Sequence, residues 1–410
     1  MTDKTLSIVC VGAGQAALSC AAKLRALGHT GAIALVGDEP HLPYQRPPLS
    51  KKYLTGEMPL DRLLLRPPEW FEAQSVTCLT GERVTGIDRA GHGVALASGR
   101  SIPYDRLVLA TGCTPRHLPA AVTRGLAGLH TVRNIADIDR MAPELRAGAR
   151  AVVIGGGYIG LEAASVAVKR GVAVTILEAA SRILERVACK ETSAYFESLH
   201  RGHGVDILTG VTLDSFEGAG GRLSAALLAD GRRFPCDLAI IGIGVTPNTQ
   251  LAAEAGLAID NGVAVDEFCR SSDPDIFAIG DCASFPYRGQ RLRLESVPHA
   301  IAQGDAAAAV IAGQGQPYEA KPWFWSDQYD VKLQIAGLNL GYDQVVTRGP
   351  GAAGDYSVWY YRQGRLIAVD AANAATAYMV GKRLIESGKT VSPDCVADPA
   401  SDMKSWLTAG

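Results

Sequence analysis

Two glycine clusters are the parts of this chain whose residue types and spacing point most directly to chemistry: Gly12-Ala13-Gly14-Gln15-Ala16-Ala17 and Gly155-Gly156-Gly157-Tyr158-Ile159-Gly160. In a strand-to-helix turn of this pattern the first glycine turns the chain tightly. The second lets a pyrophosphate approach the backbone, and the third small residue packs helix on strand. The N–H groups and dipole of the helix then attract phosphate oxygens. An acidic residue further along can accept hydrogen bonds from a ribose. Asp38 and Glu39 follow the apolar run 32–36, and Glu178 follows 172–177. One match would be weak, but two in this context predict two bound dinucleotides. A carboxylate at Glu178 would repel a 2′-phosphate, so the second site is expected to take NAD(H) rather than NADP(H). Arg182 and Arg186 stand nearby as the opposing signal.

The elements that must position these turns are legible as apolar runs. Residues 6–11 and 151–154 lead into the two clusters. Residues 106–109 end in Ala110-Thr111-Gly112, and 237–241 end in Gly242-Ile243-Gly244, with Pro115 and Pro247 close behind. These read as crossing points between domains and as an internal duplication. The run 275–279 delivers Asp281 at its end. The expected organisation is a first dinucleotide-binding domain (1–114 and 248–322) interrupted by a second (115–247). Beyond Trp323, short alternating segments at 332–336, 344–348, 356–361 and 366–370, then a helix-like stretch at 374–387, predict a C-terminal α+β domain (323–410).

Composition narrows the function classes. The net charge is −2 over 410 residues, and nothing global points to nucleic acid or an anionic membrane. The longest apolar runs fall short of the roughly 20 residues that cross a bilayer. Met1-Thr2-Asp3-Lys4 runs directly into the first strand, so a cytoplasmic protein without a signal peptide is expected. Nine cysteines occupy positions 10, 20, 78, 113, 189, 236, 269, 282 and 395, and none is spaced as a redox pair. Free thiols are expected. His200, His203 and His299 make no ligand set with any cysteine cluster, and no metal site is expected.

Five further segments carry a resemblance: Arg46-Pro47-Pro48-Leu49-Ser50-Lys51, Val153 through Glu162, Gly280-Asp281-Cys282-Ala283, Arg293-Leu294-Glu295-Ser296-Val297-Pro298 and Pro322-Trp323-Phe324-Trp325-Ser326-Asp327-Gln328-Tyr329. Over essentially its whole length the chain resembles the FAD-dependent ferredoxin reductases of bacterial oxygenase systems, of the putidaredoxin-reductase type. Rubredoxin reductases, dioxygenase ferredoxin reductases and apoptosis-inducing factor share that fold. The resemblance implies an α/β architecture with two Rossmann-like domains arranged as in glutathione reductase. It implies FAD on the turn of Gly12, Gly14 and Ala16, with Asp38 at the adenosine ribose, Val84 beside the adenine, and Arg46 and Arg133 in contact with the cofactor. Asp281 would hold the ribityl chain and Val297 would offer its backbone to the ring edge. NAD would lie on Gly155, Gly156, Gly157, Ile159 and Gly160, with Glu178 and Gly244. Lys51, reaching the flavin ring, and Glu162 are the implied catalytic ion pair beside flavin N5.

The activity implied is hydride transfer from NADH to FAD, then single electrons to a [2Fe–2S] ferredoxin that supplies a cytochrome P450 or a Rieske-type dioxygenase. Such ferredoxins tend to be acidic, which makes Lys52, Arg66, Arg288 and Arg291 candidate docking cations. Trp323 and Phe324 read as core; Trp325 is either core or a residue at the flavin edge. Without a vicinal cysteine pair, a disulfide relay is not expected. The alternatives are a rubredoxin reductase or NADH oxidase of the same fold and, in a different class, a flavin-bound interaction protein. Two departures from the family pattern are His299, where relatives commonly carry Asn, and Ala374-Ala375 in place of Arg-Pro.

Overall fold

The computed structural model describes residues 4–350 and 355–408. Met1 to Asp3, on which the expectation about a leader partly rests, lie outside the described residues. The chain groups into two compact units: 1–45, 60–114 and 245–322 in the first, and 46–59, 115–244 and 323–410 in the second. This differs from the expected boundaries in three respects. The segments 46–59 and 323–410 group with the second unit, and residues 245–247 group with the first.

The first unit is built on a parallel sheet in the order Ile276–Ala278, Arg106–Leu109, Ile8–Val11, Ile33–Val36, Val76–Leu79. A parallel sheet covered on both faces needs strands that are apolar throughout. Ile8–Val11, with all four residues buried, is one. The helix Gln15–Ala26 follows it and packs on the helix Val297–Ile311 through small residues. A Cβ on Gly304 would stand 2.7 Å from the carbonyl oxygen of Ala16, so no larger residue permits this approach. Between the third and fourth strands in sequence, an antiparallel sheet of Val84–Asp88, Gly93–Leu96 and Ser101–Pro103 is inserted.

The second unit repeats the plan. Its parallel sheet runs Asp206–Leu208, Ala173–Leu177, Arg150–Ile154, Leu238–Ile241, Leu129–His130. Its inserted antiparallel sheet comprises Leu213–Ala219, Arg222–Leu228 and Arg233–Pro235. The outer strand beside the fourth shows the difference. In the first sheet it arrives late in the chain as Ile276–Ala278; in the second it precedes the glycine cluster as Leu129–His130.

The same unit contains an antiparallel sheet in the order Trp323–Gln328, Val331–Gly337, Arg365–Ala372, Tyr356–Arg362, Gln344–Arg348. The helix Ala375–Glu386 closes a core of Trp359, Tyr361, Val369, Tyr378, Leu384 and Trp406. Ahead of that helix Asn373 makes the turn in the left-handed region at φ +52°. Its Oδ1 accepts from the Lys332 amide at 2.8 Å. The first strand, Trp323–Gln328, has no counterpart among the alternating segments legible in the sequence. Its fully buried positions are the polar Ser326 and Gln328, while Trp323, Phe324 and Trp325 are half-buried, so the usual alternation is inverted.

All nine cysteines are free thiols, eight of them buried or half-buried and Cys395 exposed. Among the described residues no helix is long and apolar enough to cross a membrane, and no group of His, Cys, Asp or Glu is arranged to hold a metal ion.

Candidate active site

In the first unit, the turn after Ile8–Val11 is set by a backbone approach that excludes a side chain. Gly12 has φ +113°, and a Cβ on it would lie 2.2 Å from the carbonyl oxygen of Ala110 on the neighbouring strand. Gly14, which caps the helix without a side-chain bond, has nothing within 4 Å of its Cβ position. The first glycine is therefore required by the fold, and the second leaves open space at the start of the helix. Ala16 is buried against Gly280, whose own Cβ position lies 3.0 Å from the Ala16 methyl.

Asp38 is half exposed and holds Arg83 at 2.9 Å. Asp281 follows Gly280 in a short 3₁₀ turn, and its Oδ2 accepts from the Cys113 thiol at 3.3 Å. Arg293 Nη1 donates to the carbonyl oxygen of Asp281 at 3.2 Å. Val297 is the first residue of a helix capped by Ser296, whose hydroxyl accepts from the His299 amide. The Val84 side chain is buried in the core with Val9, Val11 and Val36. Asn248, which sequence reasoning missed, is bonded to the small-residue turn after Arg106–Leu109. Its Nδ2 donates to Thr111 O at 2.8 Å and its Oδ1 accepts from Thr114 Oγ1 at 2.7 Å.

The second unit reproduces the turn. Gly155 has φ +101°, and its Cβ would lie 2.5 Å from the carbonyl oxygen of Gly242, the counterpart of Ala110. Gly157, like Gly14, faces open space. Gly160 packs with its Cβ position 2.3 Å from Gly155 O, and Ile159 is exposed on the first turn of the helix Tyr158–Lys169. Glu178 closes the turn: Oε2 accepts from the Gly156 amide at 2.6 Å and Oε1 from the Ala180 amide at 2.7 Å. Gly244 has φ +99°, and Arg186 Nη2 is 3.4 Å from where its Cβ would stand.

The same helix carries Glu162, which is buried yet fully bonded. Its Oε2 accepts from Lys51 Nζ and from Ser50 Oγ, both at 2.7 Å, and its Oε1 from Ser326 Oγ at 2.7 Å. Lys51 also donates to Pro47 O at 3.4 Å. A buried carboxylate needs a partner charge and hydrogen bonds to offset its lost hydration, and this one has both. Nearby in the same unit Arg46 Nη1 donates to Arg133 O at 2.8 Å, and the Arg133 amide bonds the Asp137 carboxylate at 3.1 Å. Of these groups, Lys51, Glu162, Arg46 and Arg133 are expected from the resemblance. Ser50 and Ser326 are not, although Ser50 adjoins Lys51 and Ser326 sits in the aromatic segment quoted above.

The remaining expectations divide. Arg291 is occupied by Val265 O at 2.9 Å and by Ser284 O, and is not a free docking cation. Lys52 and Arg288 are exposed, and Arg66 lies over Trp70 at 5.9 Å. Trp323 and Phe324, expected as core, are half-buried; Phe324 meets Tyr158 at a 5.0 Å ring separation. His299 is buried, its Nδ1 2.9 Å from Tyr318 Oη, and burial pushes its pKa down to about 4.

A doubly wound sheet with a glycine turn at its switch point, present twice, defines a dinucleotide-dependent oxidoreductase. The chain belongs to the pyridine nucleotide-disulphide oxidoreductase family: residues 6–304 match that family, and residues 323–407 match the reductase C-terminal domain. It is 43% identical to putidaredoxin reductase CamA of Pseudomonas putida, covering 98% of this chain and 97% of that one. It is 42% identical to a ferredoxin–NAD(P)(+) reductase, fdr, of a Sphingomonas species, covering 100% and 99%. Among solved structures, the covalent putidaredoxin reductase–putidaredoxin complex superimposes with a TM-score of 0.95 at 42% identity, covering 98% of each chain. Membership implies FAD and NAD(P)H. The open Cβ positions of Gly14 and Gly157, each at the N-terminus of a helix, fit two pyrophosphates.

Proposed function

We infer that this chain is an NADH-dependent ferredoxin reductase, which passes electrons by way of FAD to a [2Fe–2S] ferredoxin serving a cytochrome P450 or a Rieske-type dioxygenase. The observation that carries the reading is the duplicated glycine turn together with nine cysteines that form no disulfide. The two turns suit two dinucleotides, and the lack of a disulfide to take the electrons supports transfer to another protein. Full-length identity to ferredoxin reductases supports this acceptor. The free, mostly buried thiols are consistent with a cytoplasmic setting.

When bound, FAD accepts an electron pair and gives up electrons singly. The chain's own contribution is position and charge. Gly12, Gly14 and Ala16 shape the turn for the FAD pyrophosphate; Asp38, Val84, Arg46, Arg133, Asp281 and Val297 are assigned to the rest of that cofactor. Gly155, Gly156, Gly157, Ile159, Gly160 and Gly244 are assigned to the nicotinamide dinucleotide, and Glu178 disfavours a 2′-phosphate. Ser50 and Ser326 fix the Glu162 carboxylate, which holds the Lys51 ammonium. Pro47 O and Glu162 use two of its three N–H groups, which leaves one for the flavin. An aimed cation in a site with little water favours negative charge developing at the ring.

The test is NADH-driven cytochrome c reduction against a panel of [2Fe–2S] ferredoxins, with NADPH as parallel donor. Reduction that depends on a ferredoxin and prefers NADH is expected. Equal rates without any iron–sulfur protein would overturn the ferredoxin assignment, oxygen consumption unchanged by ferredoxin would favour an NADH oxidase, and a preference for NADPH would overturn the donor assignment.

A further inference from the structure

Arg182 stands four positions beyond Glu178, the kind of residue and place from which a guanidinium reaches a nucleotide 2′-phosphate. Here it is engaged elsewhere. Its Nη1 donates to Ser193 Oγ and to Cys189 O, the latter at 3.2 Å, and its Nη2 to Glu185 O at 3.2 Å. Ser193 is itself buried, on the helix Lys190–Gly202, and its hydroxyl donates to Ile183 O at 2.6 Å. One hydroxyl thus ties down both the guanidinium and the backbone of the loop that carries it.

The loop is anchored to the glycine turn as well. Ile183, fully buried, fills the space a Cβ on Gly156 would need, at 2.6 Å, and the Leu184 amide donates to Gly156 O at 3.0 Å. Glu185 faces back into the loop, its Oε2 accepting from Ser181 Oγ at 2.8 Å and from the Arg182 amide at 3.3 Å. Moving Arg182 toward a ligand would break three charge-assisted bonds and leave Ser193, which is sealed from water, without its donor.

We propose that Arg182 is a withheld arginine: Ser193 is a positioning residue that keeps it from a 2′-phosphate, so donor choice rests on this sequestration as well as on Glu178. The inference deepens the NADH assignment made above and rests on it. It predicts that removing the Glu178 charge alone does not create an NADP-type site, because the cation that would complete it is still tied down.

The test uses the FAD-loaded full-length enzyme and calorimetric titration with 2′,5′-ADP, a readout independent of turnover. Arg182→Met should leave the weak affinity of the parent unchanged. Glu178→Gln combined with Ser193→Ala should bind about tenfold more tightly than Glu178→Gln alone, the scale of one charge-assisted hydrogen bond. Adding Arg182→Met to that pair should abolish the gain. Loss of affinity in the single Arg182→Met variant, which needs no change at Ser193, would show the arginine already serves the site and overturn the proposal. So would a gain that survives in the triple variant. A parent enzyme that prefers NADPH in turnover overturns the underlying donor assignment; one that prefers NADH but shows no tightening in the Glu178→Gln/Ser193→Ala pair overturns only the sequestration.

Discussion

Ser326 donates its hydroxyl to Glu162 Oε1 at 2.7 Å and accepts from Gln328 Nε2 at 3.2 Å. Gln328 Oε1 in turn accepts from His200 Nε2 at 2.8 Å, and His200 Nδ1 is 3.3 Å from Tyr329 Oη. Directionality along this chain is set by the carboxylate, which can only accept. It puts a proton on His200 Nε2, and burial, which holds the pKa down to about 4, keeps the ring neutral. The Lys51–Glu162 pair is thus one end of a largely buried polar row within one unit.

Replacing Ser326 with Ala leaves one oxygen of a buried carboxylate without its donor. A loss of about 1–3 kcal/mol is expected in urea unfolding, the range for an unsatisfied buried polar group. Ser326→Cys, which restores a weak donor, should recover part of it. Equal stability of parent and Ser326→Ala would show that Oε1 is satisfied some other way.

Lys51→Met removes the ammonium while keeping a stem of similar length. Stopped-flow bleaching of the flavin by NADH should slow by about tenfold or more, as when an aimed charge is removed. Unchanged bleaching would remove Lys51 from the chemistry and leave it a structural partner of Glu162.

The glycines of the second turn should separate fold from binding. Gly157→Ala adds a methyl into open space and should cost within about 1 kcal/mol in stability, the scale of a changed helix cap. Its KM for NADH should nevertheless rise. Gly155→Ala forces a Cβ to 2.5 Å from Gly242 O at φ +101° and should cost about 2 kcal/mol or more. Thermal melts and NADH titration of the two variants distinguish these effects. A Gly157→Ala enzyme with parental KM would argue against a phosphate at that turn.

His200 gives a stability profile in acid. Its folded pKa of about 4 lies below the ordinary value of 6.5, so the folded state prefers the neutral ring. The associated stability is fully present above pH 6.5 and is lost as pH falls from there through 4, by about 3 kcal/mol in all. His299, likewise pushed down to about 4 by burial, adds to the same trend. Urea midpoints measured between pH 7 and pH 4.5 should fall less steeply in His200→Gln. A parallel slope in the variant would mean that the ring takes up its proton within the fold.

Asp370 has the opposite sign. It is sealed among Tyr360, Thr192 and Cys189, accepting from Thr192 Oγ1 at 2.8 Å and from Tyr360 Oη, and burial raises its pKa to about 6. Its contribution is present below the unfolded value of 3.8 and is lost as pH rises through 6. Asp370→Asn keeps an acceptor oxygen without the charge and should therefore gain on the parent between pH 5 and pH 8. The comparison of Tm at the two pH values settles it; a relative loss at pH 8 would contradict the assignment.

What was readable along the chain was whatever depends on local backbone requirement or on local pattern. The glycines at 12, 14, 155 and 157 announce turns because no other residue fits those conformations or leaves that space. Apolar runs such as 6–11 and 151–154 announce strands because a sheet covered on both faces admits little else. The acidic residues after each second strand follow from their spacing to those turns, whereas the role expected for Glu162 came with the resemblance. Val84 is the opposite case: its burial with Val9 and Val36 is ordinary, and its assignment to the cofactor came from resemblance alone.

What lay beyond the sequence was every relationship between distant segments in which polar residues replace apolar ones. The strand Trp323–Gln328 was hidden because Ser326 and Gln328 occupy its buried positions, which reverses the pattern that marks a strand. Their reason for being there is Glu162, far away in sequence, and a pairwise hydrogen bond leaves no periodic trace. Arg182 shows the same divide. Its type and its distance from Glu178 are written in the chain and suggest a phosphate ligand. Only the folded loop, which brings Ser193, Cys189 O and Glu185 O around the guanidinium, decides that its donors are already spent, because a hydrogen bond made inside the protein is one not offered to a ligand.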